Sequence, residues 1–177
     1  MQDSREGPAD AKIAAARVLQ RAGCDVRFDP RQTCCGQPAY NSGDRASALA
    51  LARKLIDEYS EYDYVVVPSG SCAGMIRTHY ADLFRDAPAE RERALELAGR
   101  TYELTDFLVN VAKLGRVPGS LRATITYHDS CAGLRELGVQ AQPRALLATM
   151  SGIVLEEMKQ PEQCCGFGGT FAVKNAE

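Results

Sequence analysis

Two cysteine pairs followed by glycine stand in this chain, Cys34-Cys35-Gly36 and Cys164-Cys165-Gly166. Single cysteines lie at comparable distances from them: 36 residues separate Cys35 from Cys72, and 32 separate Cys131 from Cys164. Six of the seven cysteines therefore belong to one repeated pattern. A vicinal thiol pair beside glycine puts two soft sulfur ligands on backbone that can bend around a metal centre, and thiolates are the donors that iron–sulfur and zinc centres select. The alternative, a vicinal disulfide, demands a strained ring formed twice. With His79 and His128 as the only histidines, the sequence argues against a histidine-rich site.

Composition narrows the chemistry of those thiols. No apolar segment follows a basic start and no run of about 20 apolar residues occurs, so neither a secretory signal nor a membrane span is expected. The chain is expected in the cytoplasm, where structural disulfides are rare and a cysteine pattern reads as metal-binding or catalytic. Net charge is -2, and Arg91, Arg93 and Arg100 are interleaved with Glu90, Glu92 and Glu96, so no nucleic-acid surface is expected. At 177 residues with 45% apolar side chains, the chain can bury one substantial core or fold as two small similar lobes.

Apolar stripes at helical spacing alternate with short β-branched runs, the pattern of an α/β fold. A helix is expected over Asp10 to Arg21, stopped near Gly23, and then a strand from Asp25 to Phe28. The segment 33–44 reads as loop, with Asp44 capping a helix through Ala48, Leu51, Ala52 and Leu55. Tyr64 to Pro68 is the best strand, and its unbroken valines suggest burial on both faces, as in a parallel sheet. Cys72 follows in the expected strand-to-helix loop, where open α/β sheets carry their sites. Helical material should continue to Gly115, interrupted near Pro88, with Leu104, Phe107, Leu108 and Val111 as an apolar stripe, until Pro118-Gly119 breaks it. A strand over Ala123 to Tyr127 then leads to Cys131, followed by a helix near Pro143 to Met150, a strand over Ile153 to Leu155 and the second cysteine-pair loop.

Other residues have plainer readings. Cys24 lies outside the pattern and reads as a small buried hydrophobe. His128, three residues before Cys131, either donates to a cluster or caps the end of its strand. Gly166, Gly168 and Gly169 match no nucleotide fingerprint and would let backbone approach a cluster, while Lys174 and Asn175 would fix that loop or face solvent. No acid–base catalytic set is visible in the sequence.

Both cysteine patterns resemble the cysteine-rich "CCG" domain family, found in the cysteine-rich subunit of heterodisulfide reductase and in the iron–sulfur subunits of glycolate and lactate oxidation systems. More narrowly, the stretches TCCGQPAYNSG, VVVPSGSCAGMIR, YHDSCAGLRELG and CCGFGGTFAVKN resemble the A subunits of L-lactate utilisation complexes. The resemblance implies an α/β fold of two similar Rossmann-like modules with mostly parallel short sheets and flanking helices, the first over residues 1–112 and the second over 113–177. It also implies iron–sulfur clusters of [4Fe-4S] type that pass electrons while L-lactate is oxidised to pyruvate. Cys34, Cys35 and Cys72 would bind one cluster and Cys131, Cys164 and Cys165 another, or all six would converge on one region. Partners would be other subunits of a lactate oxidation complex, with any membrane association made through them.

The chain departs from the family pattern in three ways. Each module carries three of four expected thiolates, since the strand and cysteine that open the family's first module and the last cysteine of its second have no counterpart, so the chain is expected to be either a fragment or a degenerate subunit whose clusters are incomplete. Met75 stands where the heterodisulfide reductase form has the second cysteine of a CxxC, which accords with the lactate type. A heterodisulfide-reductase-like enzyme and a glycolate-oxidase iron–sulfur subunit are the rival readings, although the latter usually has an N-terminal ferredoxin part with CxxCxxC runs that this chain lacks. A cluster-free structural protein is the rival of another class.

Overall fold

A computed structural model describes the backbone of residues 8–164 and the side chains of residues 11–164. Helix α1, Pro8–Arg21, turns Ala15 and Leu19 inward and ends where Gly23 takes a φ of 89° and the Cys24 N–H reaches back to the Leu19 carbonyl. The strand expected over Asp25 to Phe28 does not form. Its alternation is present, with Cys24 and Val26 packed on apolar neighbours, but among the described residues no strand lies alongside to complete a ladder.

The segment expected as loop contains a short helix, α2, Gln37–Ser42. Left-handed glycines bracket it, Gly36 at φ 85° and Gly43 at φ 84°, and Pro38 sits in its first turn, where the missing N–H costs nothing. Asp44 caps the following helix as expected, its carboxylate accepting the Ser47 N–H at 3.1 Å at the start of α3, Arg45–Tyr59.

Strand β1, Val65–Val67, is buried at Val65 and half-buried at Val66 and Val67, less enclosed than the valine run suggested. From it the chain enters a helical run made of α4 (Gly70–Gly74), a wide π turn (Met75–His79) and α5 (Tyr80–Leu83). Helix α6, Pro88–Gly99, follows. Where the sequence suggested unbroken helix, Thr101–Glu103 forms strand β2 and pairs in parallel with β1, Val65 opposite Thr101. The apolar stripe beyond it is helical as expected, in α7 (Leu104–Asp106) and a second π turn (Phe107–Val111).

Past Pro118-Gly119, strand β3 (Ser120–Ile125) leads to α8 (Cys131–Leu137), α9 (Ala141–Ala148) and β4 (Ser151–Leu155), which pairs in parallel with β3. The register slips between Ser120 and Ala123, opposite Gly152, whose φ of 88° and approach to the Leu121 carbonyl leave no room for a side chain. Helix α8 has no counterpart among the expected elements. Its start is capped by Ser130 and its end by left-handed Gly138. Two short parallel sheets with flanking helices thus make the α/β fold that the pattern implied. No helix among the described residues is long and apolar enough to cross a membrane.

Two apolar clusters carry the packing. One joins Ala48, Ala52, Leu55 and Ile56 of α3 to Tyr80, Leu83, Phe84, Ala94 and Leu97, each large aliphatic contributing about 1.5–3 kcal/mol relative to exposure. The other gathers Leu19, Phe107 and Leu108 with Leu146 of α9, so the two halves of the chain share buried surface. They also meet where α4 lies against α8. A Cβ on Gly70 would stand 2.6 Å from Ser130 Oγ and 2.9 Å from the Gly133 nitrogen, while Gly74 faces Ala132 and Glu136. Glu136 is also 3.6 Å from His79.

Gly70→Ala should lower the denaturation midpoint in urea by an amount equivalent to about 1–3 kcal/mol, because the methyl meets backbone that cannot yield. Gly99→Ala, where a Cβ finds nothing within 4 Å, should be neutral or stabilising. Equal midpoints for the two variants would contradict the close helix contact.

Candidate metal centre

Strand β1 ends at Val67 and Ser69 caps the helix that follows, its hydroxyl accepting the Cys72 N–H at 3.5 Å. Cys72 therefore sits in the first turn of α4 rather than in the loop before it. The Ser69 and Ser71 hydroxyls lie 3.2 Å apart beside it. Against this turn comes the first cysteine-pair loop. Gly36 makes the turn possible because its φ is 85°, a left-handed conformation that side chains disfavour. The Tyr80 hydroxyl, fully buried, donates to the Cys35 carbonyl at 2.8 Å. Cys35 is 5% exposed, Cys72 half-buried and Cys34 exposed.

Cys35 belongs to the first apolar cluster with Cys72 packed against it, and the two thiols do not ionise alike. Cys72 is lowered to about 6, first by the hydrogen bond from Cys35 and further by Ser69 and Ser71, against the penalty of burial. Cys35 is pushed upward, because the proton it shares with Cys72 stays on it and because it is buried, although the Gln37 N–H favours its thiolate. One sulfur of the pair is thus poised as thiolate with the other as its donor. Burial, ahead of the neighbouring sulfurs, likewise raises the Tyr80 phenol, which stays a donor.

The second set is assembled by a different device. Cys131 is the first residue of α8, and Ser130 accepts the Gly133 N–H at 3.2 Å. Just before it, buried Asp129 receives two bonds from the Arg144 guanidinium at 2.8 and 3.0 Å. Arg144 also holds Glu157 and the Gln140 carbonyl and lies over the Tyr127 ring, so one side chain ties the end of β3, α9 and the segment after β4 together. Its proton is held still more firmly than usual by Glu157 and Asp129. The incoming loop is fastened to the same residues: Asp129 N–H donates to Pro161 O at 3.0 Å and His128 Nε2 to Gln163 O at 2.7 Å. Cys164, exposed, follows directly. His128 thus fastens the loop that carries a cysteine. Cys165, Gly166, Gly168, Gly169, Lys174 and Asn175 lie outside the described residues. Cys24, outside both sets, packs half-buried in the second apolar cluster, close to its expected role.

Helices α4 and α8 run side by side in the same sense, since Gly70 meets Ser130 and Gly133 while Gly74 meets Ala132 and Glu136. Cys72 and Cys131, each in the first turn after a strand, therefore stand at the same end of the helix pair. Among the described residues no three His, Cys, Asp or Glu side chains are gathered as around a single ion. The donors present are soft thiols, the kind that iron–sulfur and zinc centres select, and their polar neighbours in the first set are hydroxyls rather than carboxylates. Sequence reading missed Tyr80 and the Asp129–Arg144 pair, which no local pattern announces. It also passed over a visible signal, the tetrapeptide Ser-Cys-Ala-Gly at 71–74 and again at 130–133.

Residues 2–77 and 125–177 match the CCG cysteine-rich domain. Among curated proteins, the chain is 49% identical over 157 residues to Lactate utilization protein A of Halalkalibacterium halodurans, covering 89% of this chain and 64% of the relative. It is 47% identical over 161 residues to that of Geobacillus thermodenitrificans (91% and 67% covered) and 45% over 164 residues to that of Bacillus subtilis (93% and 68%). The chain spans about two thirds of the length of these relatives. No solved structure matches it.

In the metal-free chain, alkylation at Cys72, read by peptide mass spectrometry, should rise with pH through a midpoint of about 6 and then level off, because the thiolate is the nucleophile. Cys35→Ala removes the main cause and should carry the midpoint up toward the ordinary 9.0. A wild-type midpoint near 9.0 would contradict the thiol–thiolate pair.

Proposed function

This chain belongs to the CCG cysteine-rich domain family, and from that premise we propose that it serves as an iron–sulfur electron-transfer subunit of a lactate-oxidising system. The observation that carries the reading is the meeting of Cys35 of the first cysteine-pair loop with Cys72, two residues far apart in the chain that the fold packs together and that influence each other's ionisation. In this reading Cys34, Cys35 and Cys72 hold one cluster in a module over residues 1–112. Cys131, Cys164 and Cys165 hold another in a module over 113–177. The type is [4Fe-4S], and such a cluster, when bound, accepts and passes single electrons.

The remaining work belongs to the chain's own groups. Ser69 and Ser71 donate toward Cys72 and favour its thiolate. Tyr80 fixes the backbone of Cys35, and Arg144 and His128 hold the loops that carry Cys131 and Cys164. Hydrogen bonds and burial around ligand sulfur set its basicity, and through it the potential. In this reading removal of hydrogen from lactate falls to partner proteins of the same system, which we place in the cytoplasm. The names of the similar proteins support lactate as the substrate.

Met75 weighs against the heterodisulfide-reductase reading. It occupies the position of that form's second cysteine, yet it is fully buried in the α3–α6 cluster and points its thioether into apolar packing rather than at a ligand site.

Anaerobic incubation of the full chain with iron and sulfide should give a brown protein with broad visible absorbance and acid-labile sulfide, and that protein alone should not oxidise lactate. Stoichiometric zinc bound in preference, with no sulfide retained, would contradict the cluster reading. Lactate turnover by the isolated chain would contradict the subunit reading.

A further inference from the structure

We infer that Tyr80 is a positioning residue for the first thiol set, and that the π turn before it exists to aim its hydroxyl at the Cys35 backbone. Two independent observations meet here. The Tyr80 hydroxyl donates to the Cys35 carbonyl at 2.8 Å across 45 residues of sequence, in a fully buried setting. And the helix that carries Cys72 departs from α geometry between the two residues, over Met75–His79, so that the Tyr80 N–H bonds the Met75 carbonyl five residues back.

Helix phase shows what that departure achieves. At about 100° per residue, the eight steps from Cys72 to Tyr80 would leave the two side chains about 80° apart around the axis. A π turn absorbs about one extra residue and takes back about 100°, which brings Tyr80 onto the face that Cys72 occupies. Within the wide turn the Thr78 hydroxyl donates to Gly74 O at 2.7 Å, a side-chain bond back to the preceding turn. A buried carbonyl without a donor is costly, so the Cys34–Cys35 loop is held where Tyr80 meets it. One helix thus contributes Cys72 to the site from its first turn and, from two turns later, the clamp on the loop that supplies the other thiols. The inference deepens the cluster reading but does not need it for its first test.

Tyr80→Phe removes only the hydroxyl. Thr101→Val is the matched control, since Thr101 is equally buried and donates its hydroxyl to Leu97 O at 2.7 Å without serving the cysteines. In the metal-free full chain, labelling of Cys35 by a maleimide should quicken about fivefold in Tyr80→Phe, the opening factor supplied by a hydrogen bond of about 1 kcal/mol. It should stay within about twofold of wild type in Thr101→Val and return toward wild type when 4-aminophenylalanine at position 80 restores a donor. No acceleration in Tyr80→Phe, or equal acceleration in both variants, would overturn the inference. After incubation with iron and sulfide, Tyr80→Phe should shift the midpoint potential and electron-paramagnetic-resonance signature, and Thr101→Val should not. Unaltered spectra in a loaded Tyr80→Phe protein would also overturn it. A wild-type chain that takes up no iron and sulfide defeats the cluster reading instead, and the labelling rates still decide the role of Tyr80.

Discussion

Helices α4 and α8 approach so closely that a single methyl group at Gly70 would collide with the backbone of Gly133. That contact requires a residue without a side chain at Gly70, and the placement of the thiols depends on it. Because the helices run in the same sense, their capped first turns fall at one end of the pair, and with them Cys72 and Cys131. Each helix begins where a parallel strand ends, and in α/β folds that edge is where side chains escape the core and meet ligands. The glycines thus set the spacing of the two halves, and the strand–helix order sets which way the sulfurs face.

The two cysteine sets are secured by different physics. In the first, a buried phenol, a left-handed glycine and the packing of Cys35 with Cys72 hold the loop against an apolar core. In the second, the apolar surroundings are thin and β3 and β4 are largely exposed, so a buried carboxylate and a forked guanidinium do the holding. Such a pair adds little stability beyond a well-packed apolar alternative, but it fixes geometry tightly, since either partner left alone in the interior is costly. Loss of Arg144 would therefore disturb the second loop more than its own modest burial suggests.

The cysteine pattern, the parallel α/β character and the Asp44 cap were legible because each is a local signature with a direct physical cause. Three elements were not. Thr101–Glu103 reads as helix from its neighbours and becomes strand only through its pairing with β1, far back in the chain. Asp25 to Phe28 shows the converse: a strand-like alternation with no partner beside it among the described residues. Residues 37–42 have loop composition, and only the backbone signs of Gly36 and Gly43 reveal a helical turn between them. Helix α8 could have been found from the Ser130 cap and Gly138, whereas Tyr80 could not. Its role arises from a change of helical pitch that side-chain periodicity does not report.

In the proposed reading Cys34, Cys35 and Cys72 hold one cluster and Cys131, Cys164 and Cys165 hold another. Iron and acid-labile sulfide counted per chain in Cys72→Ser, in Cys131→Ser and in the double variant test it most directly. Each single variant should lose about half of the wild-type iron and sulfide, with the lost half distinguishable spectroscopically, and the double variant should lose nearly all. Loss of all the iron from either single variant would mean one shared centre, and undiminished iron in the double variant would mean that these cysteines are not its ligands.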